Sequence, residues 1–172
     1  MILGRRSNAL LTYLFNSFVT HFPVLSVRLK WLRFLGLKCS DNVSVFRGVS
    51  VYGAANIVLG DRVVVGYNVC LDGRGGILVG PDSVISSYSH LLTADHDVDS
   101  PTFDGRLSPI VIGHHCWICT RTLVLKGVTL GDYAVTAANS VVCKSFPKNS
   151  IVGGCPAKFI RYRACDSEYK IS

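Results

Sequence analysis

The side chains best suited to chemistry in this 172-residue chain meet in one polar run, Thr93-Ala94-Asp95-His96-Asp97. An imidazole is the group best matched to proton transfer near neutral pH. Asp95 and Asp97 flank it, and either could orient the ring or stabilise the imidazolium. Alternation of side chains along a local strand disfavours both contacts at once. Cys116 and Cys119 form a CxxC, but no second CxxC follows, and a lone pair is a weak zinc signal. His90, His114 and His115 are further imidazoles in the same half of the chain.

These groups sit in a chain that is 49% hydrophobic and 17% charged, enough for one domain with a sizeable core. The net charge of +7 is local. Arg5, Arg6, Arg28, Lys30, Arg33 and Lys38 stand in residues 1–40 with no acid, and Lys144, Lys148, Lys158, Arg161 and Arg163 lie unopposed between Asp132 and Asp166. Two basic patches on a near-balanced body point to specific anionic partners. No zinc-finger, RNA-recognition or helix-turn-helix signature is present, so no nucleic-acid partner is expected. Seven cysteines, an odd number scattered through a mid-sized chain, read as reduced thiols in a cytoplasmic protein.

Residues 9–27 carry no charge and follow Arg5-Arg6. They lack a convincing signal-peptide cleavage site. A spanning helix fits by length, yet Thr12, Asn16, Ser17, Thr20, His21 and Pro23 interrupt it. Arg28, Lys30 and Arg33 alternate with Leu29, Trp31, Leu32, Phe34 and Leu35. Two readings of residues 1–36 stand level. One is an amphipathic helix lying on an anionic membrane surface through residues 9–35, peripheral at the inner face. The other is a helical pair packed on the domain or on a neighbouring subunit.

From Cys39 onward a six-residue period dominates. Ile112, Ile118, Val124, Leu130, Thr136 and Val142 are spaced by six without a slip, as are Leu59, Val65 and Leu71, and Val79, Ile85 and Leu91; Cys39, Val45 and Val51 make a fainter first set. Four residues after these positions come mostly small or branched residues, among them Val63, Ser83, Cys116, Thr122 and Ala134. Glycine often follows the aliphatic position directly, at Gly60, Gly66, Gly80, Gly113 and Gly131. A helix repeats near 3.6 and a pleated strand at 2, so neither explains six. A short strand plus a corner does: one aliphatic residue points inward, a small one fills the apex, and three such units close a triangular coil. About five coils, stacked roughly 4.8 Å apart, would form a prism. In this register Cys116 points inward as core filler, and His114 and His115 fall at outward, solvated corners.

The rhythm fails between Leu91 and Ile112, where twenty-one residues pass and six were due. The loop 92–108 is too polar for a prism interior, and long insertions in compact domains usually carry function. His96 stands where the coil ends and the excursion starts, with a rigid base and an open side.

The TADHD run at 93–97, PIVIGHHCWI at 109–118, LVLKGVTLGDYAV at 123–135, AANSVVCKSFP at 137–147 and GGCPAKFIR at 153–161 resemble, in order and spacing, the hexapeptide-repeat O-acetyltransferases. Within that family the bacterial polysaccharide (colanic acid type) branch is the most similar. The resemblance covers about residues 37–163 and implies a mainly β fold, a left-handed parallel β-helix with an N-terminal α-helical segment and one inserted loop, ending in a tail at 164–172. It implies acetyl-CoA as co-substrate, a homotrimer with active sites between subunits, and a sugar or glycan acceptor. His96 matches the catalytic histidine, as general base on an acceptor hydroxyl. Trp117 matches a groove-lining tryptophan, Thr120 and Ala138 the positions that contact the pantetheine arm, and Cys143 and Lys144 the pair near the adenosine phosphate. Lys158, Arg161 and Arg163 would add charge for the phosphates. Asn68 and Asp72 on the preceding coil, with Asp95, are the candidate acceptor contacts. Three departures stand out: Cys119 replaces a glycine or alanine, Ala137-Ala138-Asn139-Ser140 replaces Gly-Ala-Gly-Ser, and Cys143 replaces a threonine. They imply a tighter groove and a lost hydroxyl contact to phosphate.

Two other functions compete with this one. A zinc enzyme of the γ-carbonic-anhydrase kind would need three histidines meeting between subunits, drawn from His90, His96 and His114 or His115, at spacings that do not match that family. A non-catalytic trimeric scaffold would leave the loop carrying His96 without a purpose. No metal is expected.

Overall fold

Inward aliphatic residues six apart, each followed by a corner, fold here into a three-sided column of stacked parallel strands. The structure is a computed structural model and describes residues 5–164 and 169–171. Cys165, Asp166 and the tail residues 167, 168 and 172 lie outside the described residues, as do the side chains of Arg5 and Arg6. The first face holds Lys38–Cys39, Ile57–Leu59, Ile77–Val79, Ile110–Ile112 and Thr129–Leu130. The second runs from Ser44–Val45 through Val64–Val65, Val84–Ile85, Trp117–Ile118 and Val135–Thr136 to Ser150–Gly154, where Ala157–Tyr162 folds back antiparallel. The third holds Ser50–Tyr52, Cys70–Asp72, His90–Leu92, Leu123–Leu125 and Val141–Val142. Five coils and part of a sixth result, Phe146 bridging to Leu130 at the last rung. The chain is a mainly β, parallel β-helix.

The register follows the repeat. Cys39 pairs with Leu59 and Leu59 with Val79, twenty apart; Ile112 pairs with Leu130, eighteen apart. Across the break Val79 pairs with Ile112, so the coil is resumed and the excess leaves as the loop. All six residues of the 112–142 series are buried, as are Cys116, Thr122, Val128, Ala134 and Ser140 at the apices. Most corners turn through a left-handed residue, such as Asn68 at φ 54° and Asn139 at φ 58°. Asparagine tolerates that conformation through local hydrogen bonding. The glycine after the aliphatic position has a different cause. A Cβ on Gly113 would stand 2.6 Å from the Asp132 backbone nitrogen, because the next coil stacks directly on it.

The N-terminal segment closes the open end of this column. It comprises α1 (Arg5–Ser17), a 3-10 turn (Val19–His21) and α2 (Leu25–Phe34). Phe15, Leu29 and Leu32 join the core. The polar residues that interrupt the apolar stretch pair with backbone that the first coil would otherwise leave open. Asn16 bonds both the carbonyl and the amide of Val51 (3.1 and 2.9 Å), and Thr20 Oγ1 donates to the Val49 carbonyl at 2.6 Å. Arg28 is buried, donates to the Val45 carbonyl through Nε (3.1 Å) and Nη2 (2.9 Å), and bonds the Phe22 carbonyl. The helical pair packs on the domain, as the second reading has it, and its outer side remains exposed. Arg28, expected on an exposed basic face, instead serves the cap. Among the described residues no helix is long and apolar enough to cross a membrane.

Candidate active site

The insertion is a short antiparallel hairpin, Ala94–His96 against Gly105–Leu107, springing from the edge between the third and first faces. Its base is pinned: Thr93 Oγ1 accepts from Gly75 N at 2.7 Å, and Ser108 N donates to the Thr93 carbonyl at 3.0 Å. At the hairpin's tip His96 is exposed. Its Nδ1 lies 2.8 Å from the Phe103 carbonyl. A carbonyl only accepts, so Nδ1 carries the proton and the ring's lone pair falls on Nε2. The Phe103 ring stacks on the imidazole at 4.3 Å between centroids, 6° from parallel.

Neither flanking aspartate orients the ring, contrary to the sequence expectation. Asp95 pairs with Arg106 (3.0 Å) and Lys126 (3.5 Å), and Asp97 lies 3.6 Å from Arg106. These cations hold the Asp95 carboxyl below its usual range, the Arg106 hydrogen bond contributing most. Arg106 also donates to the His96 carbonyl at 3.2 Å, tying the two hairpin strands together. Phe103, Arg106 and Lys126 thus position His96, and the sequence reading missed all three. The pairing of 94–96 with 105–107 would have revealed Arg106, whereas Phe103 lies in the connecting turn and Lys126 on the next coil.

The other predicted residues divide between two edges of the prism. Asp72, Cys143 and Lys144 lie on the third-to-first edge with His96. Asp72 is buried and bidentate with Arg74 (2.8 and 2.7 Å), and lines a cavity of about 250 Å³ with Tyr52, Cys70 and Leu92. Cys143 and Lys144 are exposed, the ammonium 5.6 Å from the Phe146 ring. Asn68, Thr120 and Ala138 lie on the second-to-third edge, where Asn139 N donates to the Thr120 carbonyl at 3.0 Å. Trp117, on the adjoining second face, is half exposed and donates from Nε1 to Ser86 Oγ at 2.9 Å. Lys158 and Arg161 are exposed on the terminal hairpin. Among the described residues no carboxylate pairs with Lys144, Lys158 or Arg161.

Two expectations need correction. His115 is buried rather than solvated: its Nε2 donates to the Tyr169 carbonyl at 2.7 Å, and its ring stacks on Tyr133 at 4.9 Å. His114 is half-buried, 2.8 Å from His115 Nδ1 and 3.1 Å from Asp132. Both therefore belong to the first-to-second edge, away from His96, and no group of three metal-ligating side chains forms among the described residues. Arg163, expected to serve phosphates, donates to the His115 carbonyl at 3.3 Å and lies over Tyr133 and Tyr169.

The site is an imidazole lifted from the edge of a coiled prism by one long excursion, and comparison with known proteins bears on its class directly. No family model matches the sequence. The chain is 42% identical over 132 residues to the Escherichia coli protein named "Putative colanic acid biosynthesis acetyltransferase WcaF", covering 77% of this chain and 72% of that one. A hexapeptide-repeat-containing acetyltransferase from Vibrio cholerae, solved with acetyl coenzyme A, superposes with a TM-score of 0.81 at 27% identity, over 92% of this chain and 86% of that one. A maltose O-acetyltransferase from Clostridium difficile gives 0.82 at 26% identity over the same shares. The chain belongs to the hexapeptide-repeat acetyltransferases. It is an acyl-transferring enzyme.

Proposed function

We propose that this chain is an O-acetyltransferase that moves an acetyl group from acetyl-CoA to a sugar hydroxyl in polysaccharide or glycan biosynthesis, with His96 as general base. The observation that carries the assignment is the fixed imidazole: Nδ1 is committed to the Phe103 carbonyl, so Nε2 is the basic atom and stands at an exposed position. Acetyl-CoA, when bound, supplies an acyl group activated as a thioester. His96 takes the proton of the acceptor hydroxyl at Nε2 as that oxygen becomes nucleophilic, and holds it for the departing sulfur. The sugar class rests on the maltose and colanic acid relatives.

The residues present suit acetyl-CoA. Lys144, Lys158 and Arg161 are exposed cations available for phosphates, and Trp117, Thr120 and Ala138 offer a half-exposed ring beside a corner for the pantetheine arm. The split of these residues over two edges supports a homotrimer, in which one subunit's third-to-first edge faces its neighbour's second-to-third edge. Such a groove joins His96, Asp72 and Lys144 to Trp117, Thr120, Ala138 and Asn68. Asp72 acts on the acceptor through Arg74, and Asp95 by holding the hairpin.

His96→Ala is expected to lower acetyl transfer to the acceptor by roughly 10²–10⁴-fold while acetyl-CoA binding by calorimetry is retained. Turnover near that of the unaltered protein would sink the base assignment.

A further inference from the structure

The cap that closes the prism has an outer side, and its chemistry differs from that of the coils. Along α2 the inward positions are Arg28, Leu29, Leu32 and the following Leu35. The outward stripe is Val24, Val27, Lys30 and Phe34, at helical spacing, and Phe18 and Phe22 flank it on the connecting turn. Phe18 is 65% and Phe34 61% exposed. Largely exposed phenylalanines on and beside a short amphipathic helix need an explanation, because the helix has already spent its other face on the core.

Charge selects the occupant. Residues 1–40 contain six cations and no acid, and the first acid, Asp41, is tied to Arg33 at 2.8 Å. Arg28 is turned inward, which leaves Lys30 at the centre of the apolar stripe and Lys38 exposed nearby in the chain. A second copy of this face would bring like charges together and bury a lysine, a residue depleted from the cores of protein interfaces. At a bilayer the same lysine extends its stem along apolar surface and keeps its ammonium among the headgroups. We infer that the outer side of the N-terminal cap binds an anionic bilayer surface, with Phe18, Phe22, Val24, Val27 and Phe34 entering the headgroup boundary and Lys30 meeting anionic lipid. The helix lies on the membrane and does not span it. The inference is independent of the transfer reaction, so its failure leaves that reading intact.

The full chain is mixed with vesicles of phosphatidylcholine alone, or with half phosphatidylglycerol, and sedimented. Binding is expected to the anionic vesicles and to weaken as salt is raised. Lys30→Glu is expected to lower affinity about twenty-five-fold, since losing a cation costs about five-fold and adding an acid about as much again. Phe18→Ser with Phe34→Ser is expected to lower it roughly tenfold or more. All three side chains are exposed, so folding is preserved, and unchanged acetyl transfer to a soluble acceptor checks this. Absence of binding, equal binding to uncharged vesicles, or variants that bind like the unaltered protein would each overturn the proposal. So would a fall in oligomer mass on light scattering of the double variant, which would assign the face to a second copy.

Discussion

At the scale of single residues, six-residue periodicity decides what a thiol can do. Cys116 occupies an apex, 1% exposed, with its Sγ donating to the Gly131 carbonyl at 3.2 Å. Burial pushes its pKa up to about 12, and burial also raises the half-buried Cys119. Thiolate is the reactive form, so neither member of the CxxC is poised as a nucleophile near neutral pH. Among the described residues, Cys143 and Cys155 are the exposed thiols. Brief iodoacetamide treatment at pH 8 is expected to label Cys143 and Cys155 first and Cys116 last, read by peptide mass spectrometry. Labelling of Cys116 as fast as Cys155 would show that it does not sit in the column's core. This inward placement was legible because an apex has the same surroundings in every coil. His96 was legible too, as an imidazole at the break in the rhythm. Its orienting group was not, because a main-chain carbonyl seven residues downstream leaves no mark in side-chain identity, whereas the adjacent aspartates do and mislead.

At the scale of elements, the helical pair solves the problem that a stacked column creates at its first coil. Backbone groups at Val45, Val49 and Val51 face no earlier strand, and such an edge invites pairing with another chain. Asn16, Thr20 and Arg28 occupy it, so residues that look like flaws in an apolar segment are what allow it to pack. The sequence could not separate the two readings of this segment, since its polar positions fit a kinked surface helix as well as a cap. Only the partners, which lie as far as 35 positions downstream, reveal the cap. Two cations two residues apart on α2 then have opposite consequences. Arg28→Met leaves the Val45 and Phe22 carbonyls without their donor and is expected to cost about 2–3 kcal/mol. Lys30→Met, on the outer side, is expected to stay within about 0.5 kcal/mol. Urea unfolding midpoints at constant slope check both. Equal destabilisation by the two would show that α2 is not seated through Arg28.

At the scale of the whole molecule, the described part of the C-terminal tail binds back across the coils, and one carboxylate ties it down. Asp82 is buried at a corner of the third coil. It accepts from Arg62 of the preceding coil through Nε (2.7 Å) and Nη2 (2.6 Å), and from the Ile171 amide at 3.0 Å. Tyr169 meets His115 one coil further on, so distant stretches of chain converge on this edge. The first-to-second edge is therefore held by structure, and the residues proposed to meet ligand lie on the other two edges and the terminal hairpin. The Arg62 hydrogen bond is the main cause holding the Asp82 carboxyl down at about 2. A depressed carboxylate contributes stability that is complete above its unfolded value near 3.8 and is lost as pH falls through its folded value. Between about pH 4 and pH 2 the unfolded chain binds the extra proton, so stability falls with pH, by roughly 2 kcal/mol from this group. Asp82→Asn removes the titrating group and is expected to flatten that part of the acid-unfolding profile while lowering stability at neutral pH. Identical acid profiles for the two proteins would mean that Asp82 does not couple the coils to the tail, and Arg62 would then have to be held by Asp61 alone.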